Sequence, residues 1–267
     1  SLADGTYDFT YNLAAPNTAT NLIASVMMSG GSGTLTIPAA NLTTAAATQT
    51  ISITSVTTAE GCSPAGGVSA NTVFTIDALP DASTTTLAGA AICIGDDGAV
   101  TVTAGSLADG VYTFTYELSG ANTVGAQTGS VTISGGTGTL TISSGDLAAA
   151  GTQNVTVTAI EEDATACAST GLSKSTSFEI NTLPNTASAA IAVDDICLDD
   201  NATATVTGLA DGDYDLTYDL GAPNSATGIN VSVTIIGGTG SFSIPAASLS
   251  TADANQSITI TGVADAN

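Results

Sequence analysis

The stretch Leu2–Leu13, LADGTYDFTYNL, returns as LADGVYTFTYEL from Leu107 and as LADGDYDLTYDL from Leu209, so the three leading leucines lie 105 and 102 residues apart. Other landmarks keep that spacing: GTLTIPAANL from Gly33, GTLTISSGDL from Gly138 and GSFSIPAASL from Gly240. A period near 100 residues is too long for a solenoid or propeller unit and suits a whole two-sheet domain. A Leu-Pro pair follows a strand-rich run at Leu79-Pro80 and again at Leu183-Pro184. Proline cannot continue a β-ladder, so the domain boundaries are placed there: 1–80, 81–184 and 185–267. The middle repeat is complete, the first is truncated at its N-terminal side and the last at its C-terminal side. The polypeptide is therefore expected to continue in both directions.

Within the complete repeat, runs of β-formers bounded by Gly, Asn, Asp and Ser predict seven strands near residues 84–87, 99–104, 111–118, 130–134, 139–143, 153–160 and 176–181. Side chains two apart share a strand face. Tyr112, Phe114 and Tyr116 thus form one row, as do Tyr7, Phe9 and Tyr11, and Tyr214, Leu216 and Tyr218. These rows carry most of the aromatic bulk and are expected in the cores, with Thr, Ser, Asp and Asn on the outer faces. The expected fold is all-β: tandem immunoglobulin-like (fibronectin-III-like) seven-stranded β-sandwich repeats. The segment DLAAAG from Asp146 reads as a short helical turn between strands.

Composition narrows the function. Hydrophobic residues make up 43% but aromatics only 4% and charged residues 9%, which suits several thin cores built from Ala, Val, Ile and Leu. A mean hydropathy of +0.35 argues against disorder. The net charge is −23, with Lys174 the one basic residue and no histidine. Nucleic acid is excluded as a partner, because its affinity comes from Lys and Arg neutralising phosphates; anionic membrane surfaces are excluded likewise. No run approaches the ~18–20 apolar residues of a membrane span, so no direct membrane insertion is expected. No signal-peptide pattern opens the sequence, and export is an inference.

Cys62 and Cys167 are equivalent between repeats, as are Cys93 and Cys197, with spacings of 105 and 104. Without CxxC or histidine these spacings do not suit zinc, and no base is at hand for a catalytic thiol. Structural disulfides in an oxidising compartment are the expectation. The preferred pair is Cys93 with Cys167 inside the middle repeat, worth roughly 4 kcal/mol by loop closure; Cys62 and Cys197 would then pair with cysteines beyond the sequence. A Cys62–Cys93 staple between neighbours and free thiols are the alternatives.

Acidic residues cluster at Asp96-Asp97, at Glu161-Glu162-Asp163, and around Cys197 as Asp194, Asp195, Asp199 and Asp200. Oxygen-rich loops can hold calcium, and these last four are the candidate ligands, although no DxDxDG loop accompanies them. The recurring ADG aspartates, Asp4, Asp109 and Asp211, could suggest glycosidase carboxylates, but Asp-Gly is first a turn signal. No catalytic residue and no other cofactor is expected. Thr-x-Thr runs, as at Thr101, read as exposed strand alternation and not as an ice-binding face.

Taken together, ICIGDDG from Ile92, the LADGxYx(F/L)xY stretch, SGG(S/T)GTLTI, a cysteine-bearing loop and a closing Leu-Pro resemble the giant repeat adhesins of Bacteroidota, the SprB-like gliding-motility proteins exported by type IX secretion. That resemblance spans the whole chain. It implies an extracellular, cell-surface filament attached to the outer membrane. Its partners would be further copies of the same repeat, the substratum or surface glycans, and the outer-membrane secretion and motility machinery. Two other classes are carried beside it: a subunit of an assembled pilus or sheath, and a carbohydrate-binding array, against which stand the missing tryptophan and the core-like tyrosine rows.

Overall fold

The computed structural model describes residues 2–58, 60–63, 68–252 and 255–266. In chain order the strands are β1 (Gly5–Leu13), β2 (Ala19–Met28), β3 (Ala46–Thr58), β4 (Ala70–Ile76), β5 (Thr86–Gly89), β6 (Ile92–Cys93), β7 (Gly98–Thr103), β8 (Gly110–Gly120) and β9 (Val124–Ile133). They continue as β10 (Thr137–Ile142), β11 (Gly151–Glu162), β12 (Cys167–Asn181), β13 (Ala190–Val193), β14 (Ala202–Thr207), β15 (Gly212–Leu220), β16 (Ala226–Ile235), β17 (Thr239–Ile244) and β18 (Ile258–Asp265). The fold is all-β and immunoglobulin-like.

The chain divides into two compact units. One comprises Ser1–Ala90, Ala99–Ile142 and Asn154–Ser177; the other comprises Ala91–Gly98, Ser143–Gln153 and Phe178–Asn267. The first contains the sheets β2-β1-β3-β4 and β10-β7-β5, and the second contains β13-β14-β17 and β16-β15-β18. A fifth sheet runs β6-β12-β11-β8-β9. All seven expected strands of residues 81–184 are present, the fourth and the seventh much longer than expected, and β6 is an eighth element that the sequence did not announce. It pairs in parallel with β12, Ile92 opposite Ile180 and Cys93 opposite Asn181.

Period-two patterning decides which face is buried. Along β8 the side chains of Tyr112, Phe114, Tyr116 and Leu118 are buried while Val111 and Glu117 are exposed. In residues 185–267, Tyr214, Leu216, Tyr218 and Leu220 of β15 join Ala202, Ala204 and Val206 of β14 and Phe242 and Ile244 of β17 in one core. The rings of Tyr218 and Phe242 lie 5.0 Å apart between the two sheets. In the first repeat Tyr11 and Leu13 are buried with Ile51, and Tyr7 and Phe9 are only half-buried. There Gly33–Ile37, which matches β10 and β17 in sequence, forms no strand.

The turn expected in DLAAAG begins two residues early, as a single 3-10 turn at Ser144–Asp146, and recurs at Ala39–Asn41 and Ala246–Ser248. Ser143 Oγ accepts from the Gly145 amide, and Asp97 Oδ1 accepts from the Ser144 amide at 2.7 Å. Asn201 serves the equivalent Ala246 amide at 2.8 Å.

Candidate functional site

The ADG aspartates resolve into one recurring device. Each repeat turns after β2, β9 or β16 on a Gly-Gly pair with left-handed φ: 58° and 82° at Gly30 and Gly31, 60° and 79° at Gly135 and Gly136, 61° and 74° at Gly237 and Gly238. Two successive positive φ angles make the hairpin turn whose twist matches the strands and direct its amides into a small anion-binding hollow. The aspartate fills it. Asp4 Oδ1 accepts from the Gly30 amide at 2.8 Å. Asp109 accepts from Gly135 and Gly136 at 3.0 and 3.3 Å, and Asp211 accepts from Gly238 at 2.8 Å. The Gly238 and Gly237 amides hold the Asp211 carboxyl below the usual carboxylate range.

The glycine after each pair is needed for space. A Cβ on Gly138 would stand 2.7 Å from the Thr132 carbonyl oxygen, and one on Gly240 would stand 2.6 Å from that of Thr234. Just before β8, Ala108 accepts from the Tyr112 hydroxyl at 3.0 Å, which satisfies the polar end of a buried ring. Burial first, then the charges of Glu162 and Asp109, push the Tyr112 phenol up; burial does the same for Tyr11 and Tyr218.

A second device was not anticipated. Gln49, fully buried, accepts from the Asn17 amide at 3.2 Å and from Asn17 Nδ2 at 2.9 Å, and donates to the Ala14 and Thr50 carbonyls at 2.7 and 3.2 Å. Asn17 in turn donates to the Thr44 carbonyl and accepts from its amide. Asn224 and Gln256 repeat the set against Thr251, Gly221 and Ser257. The signal available in sequence was a Gln recurring early in β3, early in β11 and just ahead of β18, with buried Gln153 as the middle copy.

The calcium expectation is not supported. Asp194, Asp195, Asp199 and Asp200 are exposed on the segment after β13, and the Asp200 amide closes a turn on the Cys197 carbonyl. Calcium needs six to eight converging oxygens, whereas among the described residues no three His, Cys, Asp or Glu side chains are grouped to hold a metal ion. Carboxylates of another cluster have hydroxyl partners: Asp163 accepts from Thr113 Oγ1 of β8, and Glu162 from Thr165 Oγ1 of its own loop, both at 2.9 Å.

The Cys93–Cys167 pairing is corrected. Cys93 lies opposite Asn181, the last residue of β12, and Cys167 is the first. The ladder thus sets Cys93 beside the end of β12 that does not carry Cys167, and a disulfide needs Cα atoms within ~7 Å. All four cysteines are free thiols, Cys62 and Cys197 exposed, Cys93 and Cys167 partly buried.

A cavity of about 410 Å³ lies beside β18, lined by Ile196, Ala202, Leu220, Ile244, Leu249 and Ile258 among others, with Asn224 and Gln256 at its polar side. No helix among the described residues is long and apolar enough to cross a membrane.

No family model matches the chain, and no curated protein matches it significantly. Among solved structures, trypsin-activated α2-macroglobulin from Escherichia coli is 13% identical over 92% of this chain and 20% of its own, with a TM-score of 0.26. The titin I-band fragment I67–I69 is 11% identical over 61% and 54%, TM-score 0.25. Domains 4–9 of the surface layer protein SbsC are 15% identical over 97% and 38%, TM-score 0.20. The chain thus spans between a fifth and about half of these structures. The fold assignment rests on the sheets and cores described above.

Proposed function

We propose that the chain is a non-catalytic, structural repeat region of an extracellular cell-surface filament or adhesin, projecting from the outer membrane for surface attachment and gliding. The observation that carries this reading is how the recurring motif residues are used. The ADG aspartates bind turn amides, the Gly-Gly-x-Gly run shapes a hairpin, the Tyr rows fill cores and the Asn–Gln pairs tie strands to loops. What repeats is scaffold, and repetition of scaffold lengthens a molecule.

In this reading each Leu-Pro junction separates one sandwich from the next, with domains at 1–80, 81–184 and 185–267. The first junction is tied to the middle repeat: Ser169 Oγ donates to the Pro80 carbonyl at 2.5 Å, and Lys174, the one basic residue, donates to the Ser83 carbonyl at 2.8 Å. Partners are further repeats of the chain, the substratum or its glycans, and the secretion and motility machinery. The test is antibody labelling of intact cells together with an attachment assay on a strain lacking the protein. Labelling of the unbroken surface and loss of attachment are expected; label confined to broken cells would overturn the proposal.

A further inference from the structure

We infer that the middle repeat bears tension through a parallel seam. The segment by which the chain enters it, residues 80–94, lies along β12, the strand by which the chain leaves it, and pulling on the two Leu-Pro junctions loads that seam in shear. The inference goes beyond the filament reading by naming the force-bearing element, and rests on that reading only for the source of the tension.

The contacts between the two segments advance together in sequence. Ser169 Oγ donates to the Pro80 carbonyl at 2.5 Å, and Lys174 Nζ to the Ser83 carbonyl at 2.8 Å. The Gly89 amide donates to Thr176 Oγ1 at 3.3 Å. Ile92 and Cys93 of β6 then pair in parallel with Ile180 and Asn181, and the Ile94 amide donates to the Asn181 carbonyl at 2.9 Å. Pro80 thus marks one end of the seam and Asn181 the other, and the chain leaves through Leu183-Pro184 just past that second end. Tension at Pro80 draws the entry segment one way, and tension at Pro184 draws β12 the opposite way. The two are made to slide along their common direction, so every contact carries part of the load at once. Two strands pulled apart from the same end give way bond by bond instead. Phe178 and Ile180 are buried at the far end of the seam, where water cannot readily replace a straining bond and an unmade one is costly. The one basic side chain of the sequence, Lys174, is placed on this seam.

The experiment pulls single molecules of the 267-residue chain in an optical trap, with Cys62→Ala, Cys93→Ala and Cys197→Ala in place and Cys167 kept as an attachment point. One geometry holds the chain at its two ends. The other holds its N-terminal end and Cys167, two residues from the Ser169–Pro80 contact, so that the same seam is peeled from one end. The middle repeat is recognised in each by its gain in length, residues 81–184 or 81–167 at roughly 3.5 Å per residue, and that gain also shows it to be folded. At equal loading rate its end-to-end force should be at least about twice its peeling force, since forced unfolding follows the rate of crossing the barrier and shared contacts raise that barrier under load. A smaller ratio, no step of the stated length, or an end-to-end trace in which part of the repeat is released before the seam yields would overturn the inference. The result does not depend on whether cells display the chain, which antibody labelling decides.

Discussion

Replacing Gln49 by leucine keeps the volume of the side chain and removes all of its hydrogen bonds. The Asn17 side chain retains the Thr44 carbonyl, and the Thr50 carbonyl retains the Ala14 amide at 3.1 Å. Two groups lose the partner that Gln49 gave them: the Asn17 backbone amide, on a buried residue, and the Ala14 carbonyl. An orphaned buried group costs about 1–3 kcal/mol and a better-solvated one less, so Gln49→Leu should cost about 2–4 kcal/mol. A chain of several repeats need not unfold in one step, so the assay must be local. Hydrogen exchange with peptide-level resolution reads β3 and β4 separately from β15 and β18, where the intact Asn224–Gln256 pair is the internal control. At ~1.4 kcal/mol per ten-fold, protection in β3 should fall about 30- to 1,000-fold while β15 and β18 stay unchanged. Gln49→Glu supplies a further control. Ionised, it has no proton for the Ala14 carbonyl; burial favours the neutral acid, which can donate again, so part of the protection should return as pH falls, after correction for intrinsic exchange. A loss below about five-fold, or one shared equally by the third repeat, would refute the structural role assigned to Gln49.

Gly138→Ala places a Cβ 2.7 Å from the Thr132 carbonyl oxygen, which backbone cannot yield cheaply; a cost of about 1–3 kcal/mol is expected in urea unfolding, and an unshifted midpoint would contradict it. Folded Tyr11, Tyr112 and Tyr218 hold their protons above the ordinary value, so their contribution to stability is fully present below about pH 10 and is lost as pH rises through the folded values. Absorbance at 295 nm should show these phenols ionising late, together with unfolding, and simultaneous ionisation of all six tyrosines with intact circular dichroism would count against this. A thiol reagent should modify exposed Cys62 and Cys197 faster than Cys93 and Cys167, and non-reducing peptide maps should lack a Cys93–Cys167 peptide. Raising sodium chloride from ~0.01 to ~1 M, which shrinks the Debye length from ~30 to ~3 Å, should raise the denaturation midpoint; a fall would mean that attraction between charges outweighs repulsion on this surface.

The period and the alternation were legible because both are written in single residues at fixed spacing. Tyr112, Phe114 and Tyr116 two apart could only line one face of a strand, and that face is buried. Asp109 was readable as a turn residue, but not that its carboxylate binds a turn 26 residues onward, since that bond depends on the β8–β9 hairpin register. β6 escaped because two residues carry no period, and its ladder exists only where β12 lies alongside. The cysteines misled for a related reason: two cysteines recurring in each repeat fix where each sits in the period, not that Cys93 and Cys167 meet. Asn17 and Gln49 belong to no pattern of hydrophobicity; the recurrence of Gln49 as Gln153 and Gln256 was the one mark in the sequence, and burial is what gives it meaning.

With 24 acidic residues against one lysine, the carboxylates need partners other than cations, and the strands supply hydroxyls. Asp215 and Ser232 are direct cross-strand neighbours, with the Ser232 hydroxyl donating to the carboxylate at 2.6 Å; Asp213 and Thr234 repeat this at 2.5 Å on the same pair of strands, and Asp8 and Ser25 do so between β1 and β2. Glu179 accepts from Thr152 Oγ1 at 2.9 Å. Lys174 donates to a neutral carbonyl. Such charge-assisted bonds hold the ladders without opposite charges, so every carboxylate still repels its neighbours through water. In a surface stabilised by ion pairs, salt would weaken attraction and repulsion together. Here Lys174 aside there is little attraction between charges for salt to weaken, and screening relieves repulsion while leaving the short hydroxyl and amide bonds in place. The sign of the salt response thus follows from which donors the sheet provides, and a chain built this way keeps its strands paired in concentrated electrolyte.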